Sequence, residues 1–283
     1  MEFLLLLGTI SSGAIQNVLK KEYGRKAGNI GVYLFSGMLT LVSSLFFFTV
    51  SGFRPELNGE ILIYSLLLSL AYFFGVIFSH LSLISGPLSI TSLVNSFAML
   101  VPMVFGIVFY NEKITFTFVF GFVFLVISLF LMNAQKSEVK LGLKWFIYVG
   151  LAFVGNGMFS VILSLGQRRF GGENDNQIMA IAMLVSAVLI LGISLVKERK
   201  ELKKAFRHGW HRAAAVGCLN GGANLCTLFL MRIMNISLIS PISSGGAVVL
   251  SALVGIFIYK EKLSARQYLG IAFGTLAVVL MSL

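Results

Sequence analysis

A chain of 283 residues that is 57% hydrophobic and 12% charged, with a mean hydropathy of +0.92, lies far from the roughly 25% charged composition of soluble domains. Its net charge of +11 would point to nucleic acid in a soluble protein, but almost every charge here falls between long apolar runs. The pattern excludes a soluble fold and a nucleic-acid partner and reads as an all-α, polytopic integral membrane protein surrounded by lipid bilayer.

A helix needs about 20 apolar residues to cross roughly 30 Å of hydrocarbon. The opening MEFLLLLGTISSGAIQNVLKKEYGRK has no basic residue before its apolar run and a basic cluster after it. That is the reverse of a cleavable signal's charge order, so the first span is predicted over about 3–19. Nine more follow at about 30–53, 61–84, 88–110, 116–134, 146–166, 177–196, 213–234, 242–259 and 268–283. Longer basic connections occur at KKEYGRKAGN, QKSEVKLGLKW and KERKELKKAFRHGWHR, the last read as a loop. Cys218 and Cys226 fall on one predicted helix, about 12 Å apart at 1.5 Å per residue. That separation is too long for a disulfide, so both read as small apolar helix residues.

Two interruptions look alike: FYNEKI at 109–114 and IYKEKL at 258–263. Setting Glu112 on Glu261 brings Gly106 onto Gly255, Tyr110 onto Tyr259, Lys113 onto Lys262, Gly121 onto Gly270, Phe124 onto Phe273 and Met132 onto Met281. With a different shift, Gly8 and Gly13 fall on Gly150 and Gly155. Spans one to five thus repeat as six to ten, giving a first five-helix repeat over 1–134, a connecting loop over 135–145 and a second repeat over 146–283. Because each half has an odd number of spans, the second copy is inverted relative to the first.

Of the 22 Lys and Arg residues, Arg54, Lys113, Arg168, Arg169 and Arg232 fall on the side of the termini and the other seventeen on the opposite side. The positive-inside rule then places both termini outside the cytoplasm, in an inner (cytoplasmic) membrane.

All eleven acidic residues lie at span ends or in loops. A carboxylate at a span centre costs roughly 2.5–3.5 kcal/mol and is kept for ion or proton coupling, so direct proton exchange at a buried carboxylate is disfavoured. The spans instead hold neutral polar residues near glycine: Gln16 and Asn17 in the first, Asn95 and Ser96 in the fourth, Asn156 and Ser160 in the sixth, Asn220 and Asn224 in the eighth, and Ser243 and Ser244 after Pro241 in the ninth. Such groups need partners in hydrocarbon, found on neighbouring helices or in a wet cavity. Singly each reads as helix-to-helix glue; the set in spans four, eight and nine reads as cavity lining, since glycine and proline there loosen the helix. His80 is a candidate proton relay or an interfacial histidine. Arg232 reads as an anion clamp or a snorkelling side chain. The GxxxG pairs Gly217/Gly221 and Gly270/Gly274 serve bundle packing or a homodimer seam. Glu112 and Glu261 read as turn residues. HExxH, P-loop and GxSxG signatures are lacking, and no metal or cofactor is expected, so a non-enzyme is predicted.

Ten short-looped spans in two inverted halves, each with a glycine-containing first span and an aromatic-x-Glu turn before its last, resemble the EamA-type branch of the drug/metabolite transporter superfamily. The resemblance covers nearly the whole chain. It implies a permease or efflux transporter with a substrate cavity between the halves, lined mainly by spans three, four, eight and nine, with spans five and ten peripheral. By position it points to Ser92, Asn95, Asn220, Asn224, Ser243 and Ser244; Asn17 and Asn156 complete the candidate substrate-binding set. Similar members carry amino acids, amines, nucleotide sugars or sugar phosphates, and some smaller relatives carry lipid-linked sugars. They usually keep their termini in the cytoplasm, whereas the basic residues here place them outside. The expected function is secondary, non-ATP-driven transport of a small polar or amphipathic metabolite by alternating access. The alternatives are a flippase of a lipid-linked precursor and a non-transporting membrane adaptor.

Overall fold

The computed structural model describes residues 1–27, 31–52, 58–86, 88–133, 142–257 and 264–282. In chain order these form α1 (Glu2–Ala27), α2 (Val32–Val50), α3 (Gly59–Ser85), α4 (Leu88–Ser96), a 3₁₀ turn (Phe97–Met99), α5 (Leu100–Tyr110), α6 (Phe116–Asn133), α7 (Leu143–Phe170), α8 (Asp175–Lys197), α9 (Leu202–Leu230), α10 (Ile236–Phe257) and α11 (Ala265–Met281). Every regular element among the described residues is helical. Eight helices, with α4, the 3₁₀ turn and α5 counted as one, are long and apolar enough to cross a membrane. The apolar helices α6 and α11 are shorter.

Local chemistry fixes several ends. The Asn58 side chain accepts from the Glu60 backbone N–H ahead of α3, and Ser264 and Gln267 close a reciprocal capping box on α11, each satisfying donors that a helix start leaves orphaned. Inside the fourth span the 3₁₀ turn ends at Met99, three residues before Pro102, whose missing N–H removes the bond that the Ala98 carbonyl would accept. The helix tightens there instead of running straight through.

Two expected boundaries differ. The basic stretch before the eighth span, read as a loop, is mostly helix: α9 begins at Leu202. Its apolar side has a docking partner, because Ala205 and Gly209 are buried, Gly209 against the ring of Tyr23, which itself stacks on Phe35 at 4.2 Å. Arg212 reaches back to Glu22 at 3.3 Å. For the same reason α1 continues past the expected limit into the KKEYGRK segment. The IYKEKL turn, with Lys260, Glu261 and Lys262, and most of the 135–145 connection lie outside the described residues.

Helices from the two halves of the chain interleave. α3 packs on α7, and α1 on α9; α2 packs on α9, and α3 on α8; α1 packs on α10, and α7 on the α4–α5 span; α2 meets α8, and α6 meets α11. Each contact in the first member of a pair has its counterpart when the first five spans are exchanged for the last five. Side chains follow suit at the α6–α11 seam, where a Cβ on Gly121 would stand 2.8 Å from the Met281 side chain and one on Gly270 would stand 2.7 Å from that of Met132. Both GxxxG pairs face inward: Gly217 and Gly221 lie against Leu39, Val42 and Phe46 of α2, Gly270 against α6, and Gly274 against Val249 and Ser128. A homodimer would therefore use some other surface.

Candidate functional site: a polar cavity between the two halves

A cavity of about 480 Å³ opens where α1, α4–α5, α7, α9 and α10 meet. Its lining follows helical spacing on each wall. Thr9, Gly13, Gln16 and Asn17 share one stripe of α1, Asn156 and Ser160 one of α7, Asn220, Asn224 and Thr227 one of α9, and Ser240, Ser243 and Ser244 one of α10, with Asn95 and Ser96 at the end of α4.

The amides are tied to one another across the chain's halves. The Asn224 amide donates to Asn220 Oδ1 at 3.1 Å, the Asn220 amide to Gln16 Oε1 at 3.4 Å, and Ser43 donates to Asn220 Oδ1 at 3.2 Å. Asn17 donates to Ser251 Oγ at 3.2 Å, Asn156 to Ser79 Oγ at 3.0 Å, and the hydroxyls of Thr9 and Ser243 are 3.3 Å apart. One buried acceptor, Asn95 Oδ1, has no hydrogen-bond partner.

Seven of the nine residues singled out from the sequence thus meet in one place: Asn17, Asn95, Asn156, Asn220, Asn224, Ser243 and Ser244. Ser92 and His80 are not among the described lining residues. The Ser92 carbonyl accepts the Ser96 hydroxyl at 2.9 Å, and His80 sits edge-on to Tyr33 with ring centroids 5.2 Å apart. The walls also differ from the expected third, fourth, eighth and ninth spans, because α1 and α7 contribute directly and α3 stands behind them. Its midsection carries Tyr72, Phe73 and Phe74; Tyr72 packs on Phe159, which itself lines the cavity. Arg232 is committed elsewhere, 3.2 Å from the buried Asp175 carboxylate and bonded to the Gly172 carbonyl. Among the described residues no cluster of three His, Cys, Asp or Glu side chains could hold a metal ion.

Composition and spacing did not reveal what Glu112 does. Asn111, at φ 51° in the left-handed region, turns the chain out of α5. The Glu112 side chain, only 4% exposed, then enters the other half. Its two oxygens accept the backbone N–H groups of Ile236 at 3.2 Å and Ser237 at 3.0 Å, the first residues of α10. Arg168 of α7 lies 3.4 Å away and caps the Tyr110 ring at 3.5 Å. A carboxylate on a helix N-terminus offsets the orphaned donors and the positive end of the helix dipole. Close approach requires Gly106, where a Cβ would stand 2.4 Å from Glu112 Oε2.

Leu6, Ile10, Met99, Leu230, Ile239 and Ile242 belong to one buried apolar cluster toward the end of the bundle that carries the termini, and Met99 and Ile239 of it also line the cavity. There α5 packs on α10. Toward the opposite end the two spans part company: α4 packs on α3, α6 and α7 instead, and Asn17, on that side of the cavity, is exposed.

Residues 140–283 match the model of the EamA-like transporter family, just over half of the chain. The chain belongs to the EamA-like transporter family. It is therefore a multi-pass membrane transporter of the drug/metabolite transporter superfamily. No curated protein matches it. One solved structure, described only as the crystal structure of a protein, is 14% identical, covers 95% of its own length and 99% of this chain, and superposes with a TM-score of 0.73. That likeness concerns the family's helical fold alone.

Proposed function

We propose that this protein is a secondary transporter of a small polar metabolite, built as ten spans in two inverted five-helix repeats that rock about the amide-lined cavity. The reciprocal packing of the helices and the matched glycines of α6 and α11 support the repeat. The observation that carries the transport reading is the cavity itself, walled by both halves, plugged at one end and flanked by diverging spans at the other. About 480 Å³ falls within the roughly 300–1,000 Å³ of small-molecule sites. In this arrangement the cavity faces away from the termini, and the distribution of Lys and Arg makes that face cytoplasmic in an inner membrane. Asn17, Asn95, Asn156, Asn220, Asn224, Ser243 and Ser244 form the substrate site. Glu112 clasps the closed end, and rocking to the opposite state must release α10 from it.

A ligand that binds only the folded state raises its stability by about 2.7 kcal/mol at a hundredfold excess over Kd. The reading is tested by thermal unfolding of purified protein with amino acids, polyamines, quaternary amines, sugars, sugar phosphates, nucleotide sugars and lipid-linked precursors. A stabilising compound whose effect disappears in Asn220→Leu and Asn224→Leu, both still folded, is the expected result. An effect undiminished in both variants removes the cavity from the site.

A flippase of a lipid-linked precursor is the second reading, favoured by one feature. An apolar groove of about 590 Å³, lined by Val104, Phe105, Val108, Phe109, Phe153 and Val161, lies on the same α5–α7 seam that walls the cavity, and its apolar lining suits an acyl chain. A stabilising response confined to lipid-linked compounds would select it.

A further inference from the structure

Among the described residues, no side chain lining the cavity is charged. The nearest buried carboxylates are already engaged, Glu112 by the α10 N-terminus and Asp175 by Arg232 and Gln167. An ion carried into a membrane-embedded cavity without a counter-charge loses hydration that nothing restores, a penalty of several kcal/mol. Neutral hydroxyl groups meet the opposite situation. Carboxamides and hydroxyls offer donors and acceptors together, and here they are spread over five walls. Asn95 contributes its side chain to this lining. Such a lining suits a neutral ligand that brings both donors and acceptors.

Resting on the transport reading above, we propose that the substrate is an uncharged solute rich in hydroxyl groups, in the chemical class of free sugars, polyols and nucleosides, paired by the carboxamides and hydroxyls of the lining, Asn95 among them. Discrimination against charged analogues of the same shape comes from the missing counter-charge. Discrimination against deoxygenated ones comes from amides left unpaired, the stronger form of selectivity that polar sites achieve.

Flux of labelled glucose, glucosamine, glucuronate, myo-inositol, uridine, uridine monophosphate, serine and putrescine into proteoliposomes holding the full chain separates these classes by charge at nearly constant shape. The expected result is flux of at least one neutral compound, with its charged counterpart excluded, and loss of that flux in Asn95→Leu. Because Asn95→Leu can fail by misfolding, Asn224→Asp provides a gain-of-function arm. A carboxylate in the cavity should raise the glucosamine-to-glucose ratio severalfold. Cavity-dependent flux of a charged compound with none of the neutral ones overturns the substrate class and leaves the transport reading standing. Absence of cavity-dependent flux for every compound overturns both.

Discussion

Glu112 shows how one side chain can join two halves of a bundle. Its carboxylate receives two backbone N–H groups from the start of α10 and faces Arg168, charge-assisted bonds of the stronger kind. Glu112→Ala leaves those donors and a cation without their acceptor, so apparent stability should fall by about 1–3 kcal/mol. Glu112→Gln keeps one acceptor oxygen and should cost less; thermal unfolding of the two variants in detergent checks the order, and an equal loss in both would mean that charge alone matters. At the cavity, Asn220 is the hub, bonded to Asn224, Gln16 and Ser43, so Asn220→Leu should abolish transport while the protein still elutes as a folded species. These residues were legible because amides are conspicuous in apolar helices. The reach of Glu112 was not, since a turn glutamate at an interface looks the same whether it points to water or caps a distant helix. Ser92 entered the candidate set by its position in the family resemblance, and it is not among the lining residues of the cavity.

At the scale of elements, the α6–α11 seam depends on glycines that admit a partner's methionine. A Cβ at Gly121 would meet the Ala277 carbonyl at 2.9 Å as well as the Met281 side chain, and backbone cannot yield as a flexible side chain can. Gly121→Leu and Gly270→Leu should each destabilise by about 1–3 kcal/mol. If the seam is peripheral to the cavity, both should retain ligand-induced stabilisation, and its selective loss would argue otherwise. Apolar run length was enough to find each helix, because crossing hydrocarbon fixes a minimum length. Helix ends were harder. The segment from Leu202 to Arg212 is basic enough to read as a solvated loop, and only Tyr23 and Phe35 of distant helices, burying Ala205 and Gly209, show why it is helical. The 3₁₀ turn before Pro102 was implicit in the proline, but the parting of α4 from α10, on which α5 packs, belongs to tertiary packing.

For the whole molecule, the main helix contacts recur when helices of the first half are exchanged for those of the second, as the proposed inverted repeat requires. Two packings related by that exchange would have similar energy, which is the condition for a ligand to bias one over the other. The expectation of a repeat came from the glycine, aromatic and glutamate register of the two FYNEKI-like turns, of which the second lies outside the described residues. Which end is open in the proposed arrangement could not be read there, because the apolar cluster of Leu6, Met99, Leu230 and Ile239 is assembled from four separate spans. The most direct test is labelling of Ser244→Cys by a membrane-impermeant maleimide, in a background where Cys218 and Cys226 are alanine, applied in turn to right-side-out and inside-out vesicles. Reaction of the resting protein from the face opposite the termini is predicted, with protection by a bound substrate. No reaction from either face, or reaction only from the face that carries the termini, would contradict a cavity that opens between the two halves on that side.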